Sequence, residues 1–278
     1  MIKVDFRDDW KKILDKKLAA CGLQYDQSCS LEDNTIRYLN ADRRIPRSAR
    51  RTIHESKELR IPPEYLADYS GLKKLMSEGG DLTPYLSRDI QRKKRADKSD
   101  GLLNAWGIQH LHFRPNGTGD VLFVKITEAD VFVITALPHD PKVWVDTSLL
   151  QVLHENWPEE MAACVGVHGE PLTATGRLTL RGLNVNFATT MLDGAVYMSP
   201  GGGIMGSGRC LDDIVTCDKI FVGLASLQKV VEDNEGSIRG ALNVSPSEEL
   251  SIKLMFGNDE YWLYEPTRHV RLSLLPQR

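Results

Sequence analysis

Hydrophobic and polar residues alternate with a period of two across residues 106–140, and this pattern predicts three β-strands. The first strand carries His110 and His112 on one face. The second and third strands should cover residues 120–127 and 130–137. The connections between these runs are too short for a crossover helix, so the three strands are expected to form an antiparallel sheet.

Elsewhere the spacing of apolar residues changes between the helical and the extended period. Apolar residues three and four positions apart predict helices over residues 10–21, 63–77, 84–95, 148–157 and 218–232. Short alternating or mixed runs predict further strands at residues 34–39, 172–183, 250–256, 260–264 and 270–274. Helices and strands that are not arranged as repeated β-α-β units indicate an α+β fold.

Composition suggests three successive parts in this chain of 278 residues. Residues 1–98 should form a basic, mainly helical region that packs on the small antiparallel sheet. Residues 99–164 should contain that sheet and one helix, and residues 165–278 a β-rich α+β domain with a glycine-rich loop. Residues 1–100 contain 22 Lys and Arg against 17 Asp and Glu, a balance of +5, whereas the remainder has 13 against 21. The first third is therefore the part expected to meet an anionic partner.

Two groups of basic residues could contact nucleic acid, because guanidinium groups grip phosphate oxygens in a bidentate manner. The alternative is a purely structural role, with arginines paired to nearby acidic residues or placed at a helix C-terminus to complement its dipole. The predicted nucleic-acid-binding residues are Arg43, Arg44, Arg47, Arg50, Arg51, Arg92, Lys93, Lys94 and Arg95.

Histidines provide the sharpest chemical signal. His110 and His112 should lie about 7 Å apart at their α-carbons on one strand face. Arg114 continues the same face, and His139 follows the third strand. Imidazoles exchange protons near neutral pH, so the three histidines are candidates for general acid and base, and Arg114 for stabilising phosphate charge. We therefore predict His110, His112, His139 and Arg114 as catalytic residues.

Two other interpretations of the histidines stay open. They could be structural side chains that are hydrogen-bonded to carbonyl groups. They could also bind zinc, which would need a fourth ligand such as Asp140 or His154. No spacing in the sequence demands a metal, and the expectation is a site without metal or cofactor.

The segment Gly201–Gly208 contains the Gly-x-Gly-x-x-Gly order of dinucleotide-binding loops. It does not follow a convincing parallel strand, and no suitable acidic residue follows at the required distance. A mobile loop or lid is the expected role. Cys210–Asp213 offers acidic residues that could hold magnesium, but aspartates at a helix N-terminus explain them more simply.

Cysteine usage and hydropathy bear on localisation. Five scattered cysteines are an odd number without metal-finger spacing, which favours reduced thiols and a cytoplasmic location. The first residues lack the apolar run of a signal peptide. No apolar run is long enough for a membrane span, so no membrane partner is expected.

The run Asp100–Phe113, DGLLNAWGIQHLHF, together with the sequence His154–Pro158, resembles an uncharacterised bacterial family. The order of one helix, three antiparallel strands and one helix over residues 84–160 is also similar to RelE-like ribosome-dependent RNase toxins. That similarity covers about a quarter of the chain and is one of pattern. It implies an RNA-cleaving activity with catalytic residues on the sheet and the C-terminal tail. His110, His112, Arg114 and His139 lie in comparable places.

These features together suggest an RNA-directed protein, and a metal-independent endoribonuclease of a toxin or phage-defence type is the activity that the histidines favour. Two alternatives are a non-catalytic module that binds nucleic acid or protein, and a metal-dependent hydrolase. The expected partner is RNA or another anionic molecule, with a protein partner or a second copy of the chain as further options.

Overall fold

The structure, a computed structural model, describes residues 2–87, 100–115, 117–161 and 163–272. It has the α+β fold that the sequence predicts. The α-helices of the described residues are α1 (Phe6–Ala20), α2 (Leu31–Arg44), α3 (Leu66–Glu78), α4 (Gly101–Trp106), α5 (Ser148–Asn156), α6 (Ala174–Gly182), α7 (Leu211–Asp233) and α8 (Glu235–Leu242). The strands are β1 (Ile2–Val4), β2 (Thr52–Glu55), β3 (Gln109–His112), β4 (Asp120–Ile126), β5 (Asp130–Pro138), β6 (Thr189–Thr190), β7 (Val196–Tyr197), β8 (Leu250–Gly257), β9 (Glu260–Glu265) and β10 (Val270–Leu272).

Contacts divide the chain into two compact units, one made of Met1–Tyr38 with Val215–Arg278 and the other of Leu39–Ile214. The boundaries that composition suggests, near residues 98 and 164, both fall within the second unit. None of the described helices combines the length and the apolar character that a membrane span requires.

The first unit is built on a sheet with the strand order β1-β8-β9-β10. Strand β1 runs parallel to β8, and the other two pairs are antiparallel. Helix α1 lies against β8, and its buried Asp9 accepts a 3.0 Å hydrogen bond from the backbone N–H of Leu254. Lys253 lies 3.5 Å from the same carboxylate, so the buried charge has both an ionic and a hydrogen-bonding partner.

The second unit contains the sheet that carries the candidate site, with the order β2-β5-β4-β3. Strands β3, β4 and β5 are antiparallel, as predicted, and β2 adds a parallel strand beside β5. Leu111 and Phe113 pack with side chains of α3 on one face. Ile108 packs with α4 and α5 on the other face. Apolar residues therefore cover both faces, and the alternation expected for β3 is confirmed.

The prediction of a strand at residues 34–39 is wrong, because this segment lies within α2. Ser30 precedes the helix, and its hydroxyl oxygen accepts the backbone N–H of Asp33 at 2.9 Å. Asn34 is fully buried, and its side-chain amide donates to the backbone oxygens of Asp26 and Ser30. These local hydrogen bonds stabilise a helix start where composition suggested an extended segment.

The prediction of a strand at residues 172–183 is also wrong, because most of this segment is helix α6. The hydroxyl of Thr173 caps it by accepting the backbone N–H of Gly176 at 3.1 Å. Helix α7 begins at Leu211, earlier than expected, and the three predicted strands after residue 250 are confirmed. The predicted helix over 84–95 mostly lies outside the described residues, and Thr83–Tyr85 forms a short 3-10 turn.

Candidate functional site

The topology of the sheet explains why the three histidines meet. Strands β3 and β5 run in the same direction with β4 between them, and Val121 of β4 is the partner of both His112 and Leu137. His112 is the last residue of β3, and His139 directly follows the last residue of β5. The backbone N–H of His139 donates to the oxygen of Gly119 at 2.8 Å, just before β4 begins. Both histidines therefore lie at the same edge of the sheet.

His110, His112 and His139, here called the histidine cluster, are in mutual contact. One ring nitrogen of each lies within 4.8 Å of those of the other two. The ring centroids are 5.3 Å apart for His110 and His139, 5.4 Å for His112 and His139, and 6.0 Å for His110 and His112. Exposure increases across the cluster, since His110 is buried, His112 half-buried and His139 exposed. The convergence predicted from the sequence is present, and one ring faces solvent.

A backbone hydrogen bond determines which nitrogen of His112 carries the proton. The N–H of Thr118 donates to Nδ1 of His112 at 2.9 Å. A backbone N–H can only donate, so Nδ1 must accept, and the proton of the neutral ring sits on Nε2. The hydroxyl of Thr118 in turn donates to the carbonyl of Asp120 and accepts the backbone N–H of Phe113. The hairpin thus holds His112 as a hydrogen-bond donor through Nε2.

Burial decides the charge of His110. Burial, and to a smaller extent positive charge on His139, His112 and Arg44, lowers the pKa of His110 from 6.5 to about 4. The carboxylate of Asp100 opposes this shift. His110 is therefore neutral near pH 7.

The same spacing bears on metal binding. Zinc–nitrogen bonds of about 2.1 Å in a tetrahedral site place ligand nitrogens about 3.4 Å apart, so only a small closure of the three rings would be needed. A metal-bound imidazole, however, uses the lone pair of one nitrogen and carries its proton on the other. In His112 the lone pair of Nδ1 is directed to Thr118, which leaves the proton on Nε2. The donor pattern therefore favours a metal-free cluster over a three-histidine metal site.

Neither of the fourth zinc ligands considered from the sequence belongs to the described cluster. An Asp140 carboxylate oxygen accepts the backbone N–H of Lys142 at 2.8 Å. His154 contacts Tyr197 at 2.7 Å and Asp193 at 2.8 Å. Since a carboxylate only accepts, Nε2 of His154 donates to Asp193, and in the neutral form of the ring Nδ1 accepts a hydrogen bond from the hydroxyl of Tyr197.

This Asp193–His154–Tyr197 chain is a constellation that sequence spacing did not suggest. Tyr197 borders a cavity of about 600 Å³ that is also lined by Trp106, Lys125 and Cys164. Burial, together with the charge of Asp193, raises the pKa of Tyr197. The phenol therefore keeps its proton at neutral pH, and the chain positions Tyr197 rather than activating it as a nucleophile.

Arg114 does not take the place that the alternation predicts. Strand β3 ends at His112, and the guanidinium of Arg114 pairs with Asp68 of α3 at 2.7 Å and donates to the carbonyl of Glu64. It also lies over the ring of Tyr65. These partners belong to the elements that cover the opposite face of the sheet from Ile108. The described contacts of Arg114 are thus with α3 and the turn before it rather than with the histidine cluster.

Two of the predicted nucleic-acid-binding arginines are buried. Arg51 donates to the carbonyls of Thr127, Ala49 and Arg47 at 2.8 to 3.1 Å. Arg44 is 6% exposed, and its own carbonyl accepts the side-chain amide of Gln109. The side chain of Arg51 therefore connects segments of the fold, whereas burial is what separates the side chain of Arg44 from solvent.

The remaining predicted arginines differ in accessibility. Arg43 forms a bidentate pair with Asp213 at 3.1 and 3.3 Å. Arg47 and Arg50 are exposed, and Arg47 lies 3.7 Å from Asp42. Arg92, Lys93, Lys94 and Arg95 lie outside the described residues.

The glycine-rich loop is held by hydrogen bonds to one side chain, and its surroundings differ from those of a nucleotide-binding loop. The amide of Asn186 donates to the carbonyls of Gly202 and Ile204, and its oxygen accepts the N–H of Ile204. Gly203 has a φ of 76°, and a β-carbon there would lie 2.3 Å from that amide oxygen. The preceding strands β6 and β7 are antiparallel, which is not the parallel arrangement of a dinucleotide site.

The chain matches no protein family model, no curated protein and no solved structure. The resemblance of residues 84–160 to RelE-like toxins therefore stays a prediction from sequence pattern. What the protein does has to be inferred from the chemistry of the histidine cluster.

Proposed function

We propose that the protein is a metal-independent endoribonuclease whose active site is the histidine cluster. The observation that carries the proposal is the approach of three imidazoles within 4.8 Å, with only His139 exposed to solvent. A buried neutral ring, a ring held as a donor and an accessible ring are complementary parts of an acid–base site.

Each ring has a distinct role in this proposal. His139, the accessible ring, removes the proton from the attacking hydroxyl group. Nε2–H of His112 donates a hydrogen bond to a phosphate oxygen as negative charge develops there. His110 stays neutral behind both rings and keeps positive charge from accumulating, because burial lowers its pKa to about 4. Proton transfer by a positioned histidine typically accelerates such a step by about 100-fold to 10,000-fold.

Two features favour RNA as the substrate. In the described part of the chain the cluster contains no carboxylate, and this suits an anionic phosphodiester better than a site lined by acidic side chains. RNA also carries its own nucleophile, the 2′-hydroxyl group, so imidazoles can promote cleavage without a metal-bound hydroxide. As the bond between phosphorus and the 5′-oxygen breaks, that oxygen takes up the proton that His139 removed from the 2′-hydroxyl group, so the products would be a 2′,3′-cyclic phosphate and a 5′-hydroxyl end.

The test measures cleavage of labelled RNA in the presence of EDTA by the full chain and by the variants His139→Ala and His112→Gln. His168→Ala is the matched control, because His168 is an exposed histidine outside the cluster. We expect His139→Ala to lower the rate by about 100-fold or more, with an unchanged melting temperature. The control should cleave at the rate of the unaltered chain.

Retained cleavage in both cluster variants would overturn the proposal. Loss of cleavage on adding EDTA, with recovery on adding zinc, would replace it with the metal-dependent hydrolase. RNA binding that depends steeply on salt and never leads to cleavage would favour the non-catalytic module.

A further inference from the structure

Helix α6 carries an arginine whose hydrogen-bonding capacity is not used. Nε and Nη2 of Arg181 are buried, and neither has a hydrogen-bond partner among the residues that the structure describes. The guanidinium lies 4.3 Å from the ring centroid of Trp106, and Phe187 is at 5.9 Å. Stacking on aromatic rings orients the guanidinium plane but satisfies none of its N–H groups.

The two unsatisfied nitrogens are the pair that binds an oxyanion. Nε and Nη2 form one edge of the guanidinium, and that edge fits two oxygens of a carboxylate or phosphate at once. Arg43 shows the same edge when it is occupied, since its Nε and Nη2 contact the two carboxylate oxygens of Asp213. Arg181 presents the same edge without the anion.

Two other arginines with an unsatisfied buried nitrogen, Arg239 and Arg268, differ from Arg181 in one respect. Arg239 also pairs with Glu235, and Arg268 also pairs with Glu248. Their charge is thus compensated within the fold. Burial, and less strongly the charge of Arg177, lowers the pKa of Arg181 to about 10, and the carboxylate of Asp100 opposes this shift. A buried guanidinium without a close anion is costly unless a ligand supplies the charge.

The position of Arg181 links it to the histidine cluster. Trp106, on which it stacks, ends α4 just before β3, the strand that carries His110. The carboxylate of Asp100 at the start of α4 acts on both groups, since it opposes the lowering of the pKa of Arg181 and of the pKa of His110. One Asp100 oxygen already accepts the backbone N–H groups of Leu102 and Leu103, so this side chain is engaged in capping α4.

We propose that the Nε/Nη2 edge of Arg181 binds a phosphate group, in the role that the sequence analysis gave to Arg114. That this phosphate belongs to RNA beside the cleaved bond rests on the proposed function, whereas the anion site itself does not. Because Nε and Nη2 are closed off from solvent, α6 has to move to admit the ligand. No residue of α6 is fully buried, and the hydrogen bond from Arg177 to the carbonyl of Val145 is one contact that this movement would break.

The experiment follows the melting temperature of the full chain as inorganic phosphate is added, with sodium acetate and a deoxydinucleotide in separate arms. Arg181→Met removes the Nε/Nη2 edge but keeps an apolar contact with Trp106. This variant should melt no lower than the unaltered chain. Arg114→Met is the matched control, because the guanidinium of Arg114 is already paired with the carboxylate of Asp68. His139→Ala tests whether the anion site is independent of catalysis.

We expect a saturable stabilisation by phosphate in the unaltered chain, in Arg114→Met and in His139→Ala, and none in Arg181→Met. For RNA cleavage, Arg181→Met should raise KM about tenfold and change kcat less, as expected for the loss of one charge-assisted contact. A response to the deoxydinucleotide that also requires Arg181 would assign the phosphate to a nucleic acid backbone. A response to inorganic phosphate alone would remove the assignment to RNA.

An equal phosphate response in Arg181→Met, or none in the unaltered chain, would overturn the anion site. Stabilisation by acetate as strong as that by phosphate would replace the phosphate with a carboxylate ligand. Absence of cleavage with an Arg181-dependent phosphate response would refute the ribonuclease and leave the anion site standing.

Discussion

The backbone N–H of Thr118 donates a 2.9 Å hydrogen bond to Nδ1 of His112. This bond connects the turn between β3 and β4 to the ring at the end of β3. It makes His112 a hydrogen-bond donor through Nε2. This tautomer favours an acid–base site over a metal site, whereas the closeness of the three histidines is compatible with both.

The first prediction concerns the tautomer of His112. Long-range proton–nitrogen correlation spectra of the neutral protein should show a protonated Nε2 and an unprotonated Nδ1 for this ring. The reason is the obligatory donor at Thr118. Assignment is made by comparison with His112→Gln. A proton on Nδ1 would contradict the assignment and restore metal ligation as the better interpretation.

The second prediction concerns the pH dependence of stability. Burial lowers the pKa of His110 from 6.5 to about 4 in the folded chain, so between these values the unfolded chain binds one more proton. The free energy of unfolding should therefore rise with pH by about 1.4 kcal/mol per unit in this window. The contribution of His110 to the free energy of unfolding is complete above pH 6.5 and is lost as the pH falls towards 4.

Urea unfolding at a series of pH values measures this slope. His110→Gln should flatten the slope, and His168→Gln should leave it as it is in the unaltered chain. An undiminished slope in His110→Gln would show that His110 is not buried as a neutral ring.

The third prediction separates structural from accessible arginines. Arg51→Met deprives three carbonyl groups of a donor and should lower the free energy of unfolding by about 2–4 kcal/mol. The double variant Arg47→Gln/Arg50→Gln alters exposed side chains and should leave stability nearly unchanged. If these two arginines contact RNA, the double variant should also reduce the salt dependence of binding. Equal destabilisation by both sets of changes would contradict the contacts of Arg51.

The fourth prediction concerns Arg114. Arg114→Gln breaks an exposed ion pair with Asp68, so the melting temperature should change little, and cleavage should stay within about twofold. A loss of cleavage comparable to that of His139→Ala would return Arg114 to the catalytic role that the sequence suggested. The comparison requires both variants at the same salt concentration, because exposed pairs are screened.

Much of the site could be predicted because a strand repeats every two residues. That period placed His110 and His112 on one face, and the short hairpins placed His139 at the same edge of the sheet. The same period gave the wrong position for Arg114, because β3 ends at His112 and the chain then turns towards α3. Where a strand ends is determined by pairing and turn contacts, which alternation does not contain.

The two helices that were predicted as strands are preceded by capping residues. The prediction gave more weight to the composition of these segments than to the capping residues. Ser30 and Thr173 both accept an N–H group three residues ahead, and each precedes a helix that was expected as a strand. Missing α6 also hid the fact that Arg177 and Arg181, four residues apart, share a helix face. Whether the Nε/Nη2 edge of Arg181 finds a hydrogen-bond partner is decided by the tertiary fold, and a sequence pattern cannot show it.

A DNA oligonucleotide that contains a single ribonucleotide, incubated with the full chain in EDTA, tests directly whether the histidine cluster uses the 2′-hydroxyl group without a metal. We expect one cut, after the ribonucleotide, with a 2′,3′-cyclic phosphate detected by mass spectrometry and no cut by His139→Ala. An uncut oligonucleotide under conditions where all-RNA substrate is degraded, or cleavage that requires added metal, would contradict a metal-free histidine site that uses the 2′-hydroxyl group.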